Sequence, residues 1–334
     1  MKKLVSVLLA LVMLFSLTSS AMAAANLKIA LTQGDVGREE SAEIMWVELF
    51  KEYVEANSEV TVDIYPSGQL GTAAENIQGV VANSVEMACV NMTMLNSIFP
   101  NSMVLSCPGM FASEEECDAV LAGEWGQAFA AEMAEATNVK LLTAISNGFR
   151  CFTTNKAPLN TVESAKGNVW RVMDSPVYIK MVEALGAKAV PMAGSEMYTA
   201  MQNGTIDGQE NPVINILNDK TYEVQKYMVM DKHVASIVTF VISNAVFNNL
   251  TADEQKVVLE AAAYATPEAQ RVIKTLNTAG MDTLREKGLE IYEPTAEELA
   301  AWHAAITGPC QEYVRGQLGD AVVDGLTAAV AAAR

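Results

Sequence analysis

Residues 168–192 read NVWRVMDSPVYIKMVEALGAKAVPM, and residues 194–212 read GSEMYTAMQNGTIDGQENP. The first segment opens on an apolar run, Val169, Trp170 and Val172, interrupted by Arg171. A guanidinium on an apolar strand is costly to bury without a partner. Two kinds of partner fit. One is an internal acid such as Asp174 or Glu196; the other is a carboxylate from outside, which the planar guanidinium grips through two parallel hydrogen bonds. Strand and helix alternate along the segment: strand over 168–172, helix over 175–185, strand over 188–192, and helix over 195–203 closed by Gly204. It ends in a turn dense in hydrogen-bonding side chains, Asp207, Gln209, Glu210 and Asn211. We expect Arg171 to hold a carboxylate and Asn211 to help orient the molecule that carries it.

A second alternating set precedes this one. Strands are expected over 27–32, 60–65, 85–92, 103–107 and 139–146, with helices over 40–57, 72–83 and 113–136. The many acidic residues of the 40–57 helix suit a solvated outer face. Thr72 and Glu75 form a capping box, as do Thr251 and Glu254 ahead of a long helical region. Helix-length spacers between strands imply a helix-covered sheet, in which ligands gather beyond the carboxyl ends of the strands. Asn91 and Arg150 stand near such ends and are pocket candidates. After the 168–212 segment, 212–220 and 223–230 read as helical pieces and 234–244 as a β-rich run long enough to bridge two lobes. Pro267 is placed to kink the long helix. Residues 295–334 are helical and Ala-rich.

Residues 1–25 have the form of a secretory signal, with Lys2 and Lys3, an apolar core over 4–17 and an A-x-A pattern at 21–23. With no cysteine before Cys89, a lipid anchor is not expected, and cleavage near Ala23 to Ala25 would release a periplasmic protein. Removing Lys2 and Lys3 takes the formal charge from −18 to −20. Such a chain repels nucleic acid and anionic membrane surfaces. It also repels anionic ligands at long range, so each local cation counts. The five cysteines form no CxxC pair; Cys107 and Cys117 could bridge, or all five could be buried small hydrophobes. The two histidines, His233 and His303, make no HExxH motif or zinc spacing, and His303 is expected on the surface. There is no GxSxG and no phosphate-binding GxxxxGK[ST]. No catalytic, metal or cofactor constellation stands out, so a binding role is expected in preference to enzymatic chemistry.

Several stretches, in order, resemble the DctP-type solute-binding proteins of tripartite ATP-independent periplasmic (TRAP) transporters. They are VDIYPSGQLG (62–71), LNTVESAKGNVWRV (159–172), ALGAKAVPM (184–192), SEMYTAMQNGTIDGQENP (195–212), YEVQKYMVMDKH (222–233) and NNLTADEQKVVLEAA (248–262). The resemblance implies an α/β fold of two lobes, with helix-covered mixed sheets joined by crossing strands and a long helix. One lobe would take 26–148 and about 236–275, the other 149–235 and about 276–334. The lobes would close on a small organic anion and deliver it to integral membrane TRAP subunits, the binding protein being a monomer with no cofactor and no membrane insertion of its own.

By position, Arg171 corresponds to the carboxylate-binding arginine, Arg150 to a second basic contact, Asn211 to an amide on the ligand, and Asn91 and Thr32 to first-lobe contacts. Asp207 and Glu210 would shape the turn, since like charge repels an anion. Asn168, Trp170 and Gly194 depart from the common pattern and would reshape one pocket wall, and Cys151 would line or back the pocket. The competing readings are a binding protein of an ATP-driven importer or sensor, and a secreted enzyme on a two-lobed scaffold.

Overall fold

A computed structural model of the protein describes residues 25–334. The secretory signal falls almost wholly outside the described residues. Ten strands and eleven α-helices follow in the described chain. The first part runs β1 (Asn26–Leu31), α1 (Ala42–Asn57), β2 (Thr61–Tyr65), α2 (Ala73–Val81), β3 (Met87–Asn91), α3 (Glu114–Ala122), α4 (Glu124–Thr137) and β4 (Val139–Thr154). Next come β5 (Val169–Val172), α5 (Pro176–Ala184), β6 (Lys188–Pro191), α6 (Gly194–Gln202), β7 (Glu210–Asn211), α7 (Val213–Asn218) and β8 (Tyr227–Val229). The chain closes with β9 (Val234–Ser243), α8 (Asn244–Asn249), α9 (Ala252–Glu286), β10 (Glu290–Tyr292), α10 (Ala296–Leu318) and α11 (Asp320–Ala333).

The main sheet has the order β10-β8-β4-β9-β3-β1-β2, with β7 added to β4. Strands β1, β2 and β3 are parallel, whereas β9 runs antiparallel to both β3 and β4. Strands β5 and β6 form a separate parallel pair, tied to the turn before β7 by a bridge between Trp170 and Gly208. Strand β4 is the spine. Its first part pairs only with β9; its end pairs with β7 and β8. Register shifts at Leu141/Thr143 and Ser146/Phe149 mark bulges, which bend a strand and increase its twist. Gly148 lies at the second, with φ +94°, a value that glycine adopts without strain.

Helix α9 is the other long connector. Thr251 and Glu254 cap it as expected, and it continues through Pro267 to Glu286. Ala261, Ala262, Ala265 and Ala269 form a small-residue stripe that is buried with Val258, Val272 and Ile273. These join the core built by Ile44, Val47, Phe50 and Val54 of α1, where Trp46 stacks on Phe240 with centroids 4.0 Å apart. Farther along, Leu284 enters a second core with Val213 and Met228. Helix α10 packs on α5, and α11 packs on α3.

Three sequence expectations are corrected. Residues 103–107 lie in a 3-10 helix, Pro100–Ser106, because a short apolar run that is buried all round carries no period to separate strand from helix. The strand expected over 139–146 does not stop there, since β4 runs on to Thr154. Within 223–230, Tyr227–Val229 is a strand, recruited by the edge of β4 against its local helical appearance. All five cysteines are buried and free, so no Cys107–Cys117 bridge forms. His303 is half-buried, hydrogen-bonded through Nε2 to the Asp231 carbonyl at 2.8 Å.

A Cβ added at Gly208 would stand 1.9 Å from the Thr153 carbonyl oxygen, whereas one at Gly204 meets nothing within 4 Å. Gly208→Ala should therefore cost about 3 kcal/mol from overpacking against a main-chain atom. Gly204→Ala, strained only by its positive φ, should cost about 1 kcal/mol. Urea unfolding of the two variants checks the difference.

Candidate functional site

A cavity of about 810 Å³ opens between the β1, β3 and α2 ends on one side and β5, α6 and β7 on the other. Thr32, Asn91, Arg150, Arg171 and Asn211 all line it. Residues as far apart in the chain as Thr32 and Asn211 thus meet at one place. The first turns of α1, α2 and α6 also reach the wall through Glu43, Ala73 and Ser195. Helix N-termini carry partial positive charge and free backbone N–H groups, which favour anions.

Arg171 is placed by strand alternation. Successive side chains of a strand point to opposite faces. Trp170 is therefore fully buried behind β5, tilted against Phe152 with ring centroids 4.6 Å apart and donating from Nε1 to the Thr153 carbonyl at 2.8 Å. It does not line the cavity, which corrects the expectation that it reshapes the pocket wall. Asn168 likewise turns inward and accepts from Thr154, and Cys151 faces Met230. Arg171, on the other face, lines the cavity at 5% exposure. Its Nε donates to the Met192 carbonyl at 2.9 Å and its Nη1 lies 3.7 Å from the Met197 sulfur. Among the described residues it makes no salt bridge, so neither Asp174 nor Glu196 is its partner. Burial pulls its pKa down to about 10, with Glu210 opposing and Arg150 adding to the fall, so it is charged at neutral pH. Gly194 does shape this wall. Its absent side chain would sit 3.8 Å from the Arg171 Nη2, and leaves that nitrogen open to the cavity.

Arg150 differs from Arg171 in being matched. Its Nε donates to the Glu210 Oε2, and its Nη2 to the Glu210 Oε1 at 3.0 Å and to the Asn211 Oδ1 at 2.8 Å. Its guanidinium lies over the Tyr178 ring. Glu210 also accepts from His233 Nε2 at 3.2 Å, and His233 Nδ1 lies 2.7 Å from Asp231. Arg150, Glu210, His233 and Asp231 thus form a buried chain of alternating charge. Burial would raise the Glu210 carboxyl, but Arg150 and His233 outweigh it and hold it at about 2. Burial would lower His233, but Asp231 and Glu210 raise it to about 9. Glu210 is thus engaged by Arg150 on one side and His233 on the other. Asp207 holds its turn by accepting from the Val169 N–H at 2.7 Å.

The two amides are also engaged. Asn211 donates from Nδ2 to Gln209 at 2.6 Å, and Asn91 donates to Ser236 at 3.0 Å while its Oδ1 accepts from the Thr93 N–H. Sequence reasoning missed Glu43, Asp219, Ser236 and His233. Glu43 had been assigned to the solvated face of α1; it is 7% exposed and lines the cavity. Its place beside the Ser41 cap, at the entrance to the helix after a loop, was the available signal.

The chain matches the model of the DctP family, bacterial extracellular solute-binding protein family 7, over residues 34–317. It belongs to that family. The C4-dicarboxylate-binding periplasmic protein DctP of Rhodobacter capsulatus is 29% identical over 286 residues, covering 85% of this chain and 84% of its own. The sugar acid binding protein DctPAm of Advenella mimigardefordensis, solved with galactonate, superposes with a TM-score of 0.88 at 27% identity, covering 93% of this chain and 99% of its own. A TRAP periplasmic solute-binding protein of Shewanella oneidensis with bound succinate gives 0.85 at 26% identity, covering 92% of this chain and 100% of its own. Membership favours the solute-binding reading over an ATP-driven importer's component and establishes the two-lobed α/β fold.

The chain of buried charges fixes a pH dependence. Glu210, lowered from 4.5 to about 2, contributes stability above pH 4.5 that is lost as pH falls toward 2. His233, raised from 6.5 to about 9, contributes stability below pH 6.5 that is lost as pH rises through 9. The joint contribution is greatest between these limits. His233→Gln should cost about 3 kcal/mol near pH 6 and flatten the alkaline decline, since it leaves Asp231 and Glu210 without their shared cation. Thermal unfolding from acid to alkaline pH checks both parts.

Proposed function

We propose that this protein is an extracytoplasmic solute-binding protein that captures a small organic acid in the cavity and delivers it to membrane subunits of a TRAP-type transporter. One observation carries this reading: Arg171 is buried, charged and without a carboxylate partner among the described residues, and it lines the cavity. A buried charge is retained only where something compensates it. A ligand carboxylate in bidentate contact does so. Relatives named for dicarboxylates and sugar acids support the carboxylate class. Arg150, already neutralised, assists through the polar frame it forms with Asn211, and Asn91 and Thr32 contribute from the opposite wall.

Residues 26–148 with about 236–275 form one closing lobe, and 149–235 with about 276–334 the other. Contacts from both walls would stabilise a closed state over an open one. The protein acts as a monomer in the periplasm after removal of residues 1–25, and it catalyses no reaction on its ligand.

Arg171→Ala should weaken binding of the preferred acid by about 100-fold, which corresponds to about 2.7 kcal/mol. Arg171→Lys should recover part of this, since a point charge replaces a bidentate fork. Calorimetric titration of unliganded protein, refolded to remove any bound acid, measures both. Unchanged affinity in Arg171→Ala would refute the assignment.

A further inference from the structure

The cavity carries more negative than positive charge, although a carboxylate is to bind there. Its only arginines among the described lining residues are Arg150 and Arg171, and Arg150 is already neutralised by Glu210. Against Arg171 stand the buried Glu43 and four acids exposed at the rim, Asp219, Glu75, Asp174 and Glu196. Glu43 is 7% exposed and accepts from Ser41 Oγ at 2.9 Å. Asp219 ends α7 and opens to the cavity. Neither acid makes a salt bridge among the described residues. Burial raises the Glu43 carboxyl. Asp219 is an exposed residue, but the protein atoms around its carboxyl push it up to about 6, with Arg171 and Arg150 opposing and Glu43 adding, so it is mostly ionised at neutral pH. Asp219 feels both Arg171 and Glu43 across this space.

Seating a simple carboxylate would satisfy Arg171 and bring a further negative group up to the ionised Asp219, beside the buried Glu43 carboxyl. A second ligand carboxylate would make this worse, since like-charge juxtaposition rejects a partner strongly. Hydroxyl groups would donate hydrogen bonds but leave the excess charge. A ligand cation removes it. Resting on the carboxylate grip proposed above, we infer that the ligand is a zwitterion, an amino acid or related compound. Its carboxylate lies on Arg171 and its protonated amine is received between Glu43 and Asp219.

The test is a matched series of short straight-chain acids whose far end is an amine, a hydroxyl or a carboxylate, titrated calorimetrically into the refolded full-length mature protein. The amine-ended acids should bind at least about tenfold tighter than the hydroxyl-ended ones, with dicarboxylates weakest. Asp219→Asn should erase the preference for the amine while leaving the hydroxyl-ended acid bound as well or better. Glu43→Gln should act in the same direction, and Asp219→Asn, at an open position, keeps the test valid if Glu43→Gln fails to fold. Dicarboxylates or hydroxy acids binding as tightly as amino acids would overturn the inference and leave the carboxylate grip standing. So would an amine preference that survives both substitutions. Failure of every carboxylate to bind would overturn the inference together with the grip beneath it.

Discussion

Two arginines stand in one cavity under opposite electrostatic conditions, and the arrangement of the site follows from that contrast. Arg150 is locked to Glu210, which is locked to His233, which is locked to Asp231. The four groups balance one another, so this part of the wall is rigid and electrically complete. Among the described residues the Arg171 guanidinium makes contact at hydrogen-bond range only with a carbonyl and a thioether. Its desolvation is uncompensated by protein, and the missing interaction is one that a ligand can supply. A matched arginine fixes geometry; an unmatched one provides binding free energy.

The backbone explains why the two arginines arrive together. Arg150 lies on β4 after the bulge at Gly148, where the strand has passed from pairing with β9 alone to pairing with β7 as well. Arg171 lies on the separate β5–β6 pair, held to the main sheet through Gly208. The absent side chain at Gly208 permits that approach, since a methyl group would overlap the Thr153 carbonyl. Helix α9 contributes to two cores and ties the distant parts into one framework. The site is therefore mounted on β-structure and helix ends rather than on long loops.

Much of this was legible in the chain. The alternation of periods gave the helix-covered sheet, the capping boxes placed α2 and α9, and the arginine among Val169, Trp170 and Val172 is one that lines the cavity. What was not legible depended on tertiary pairing. Strand β8 forms because β4 offers it an edge, which its own residues do not announce. The 3-10 helix at Pro100–Ser106 shows no periodic face because Ser102 to Ser106 are all buried. Glu43 looked like one more acid on an acidic helix until the fold turned the first helical residues toward the cavity. His233 drew no attention as a lone histidine, and only the approach of β7 gives it Glu210.

The most direct measurement is a crystal structure of the mature protein with its ligand bound. The account predicts a ligand carboxylate within hydrogen-bond distance of the Arg171 guanidinium, with the Arg150–Glu210 pair unbroken behind it. A carboxylate seated on Arg150 with Glu210 displaced, or a ligand that leaves Arg171 without a negative partner, would contradict it.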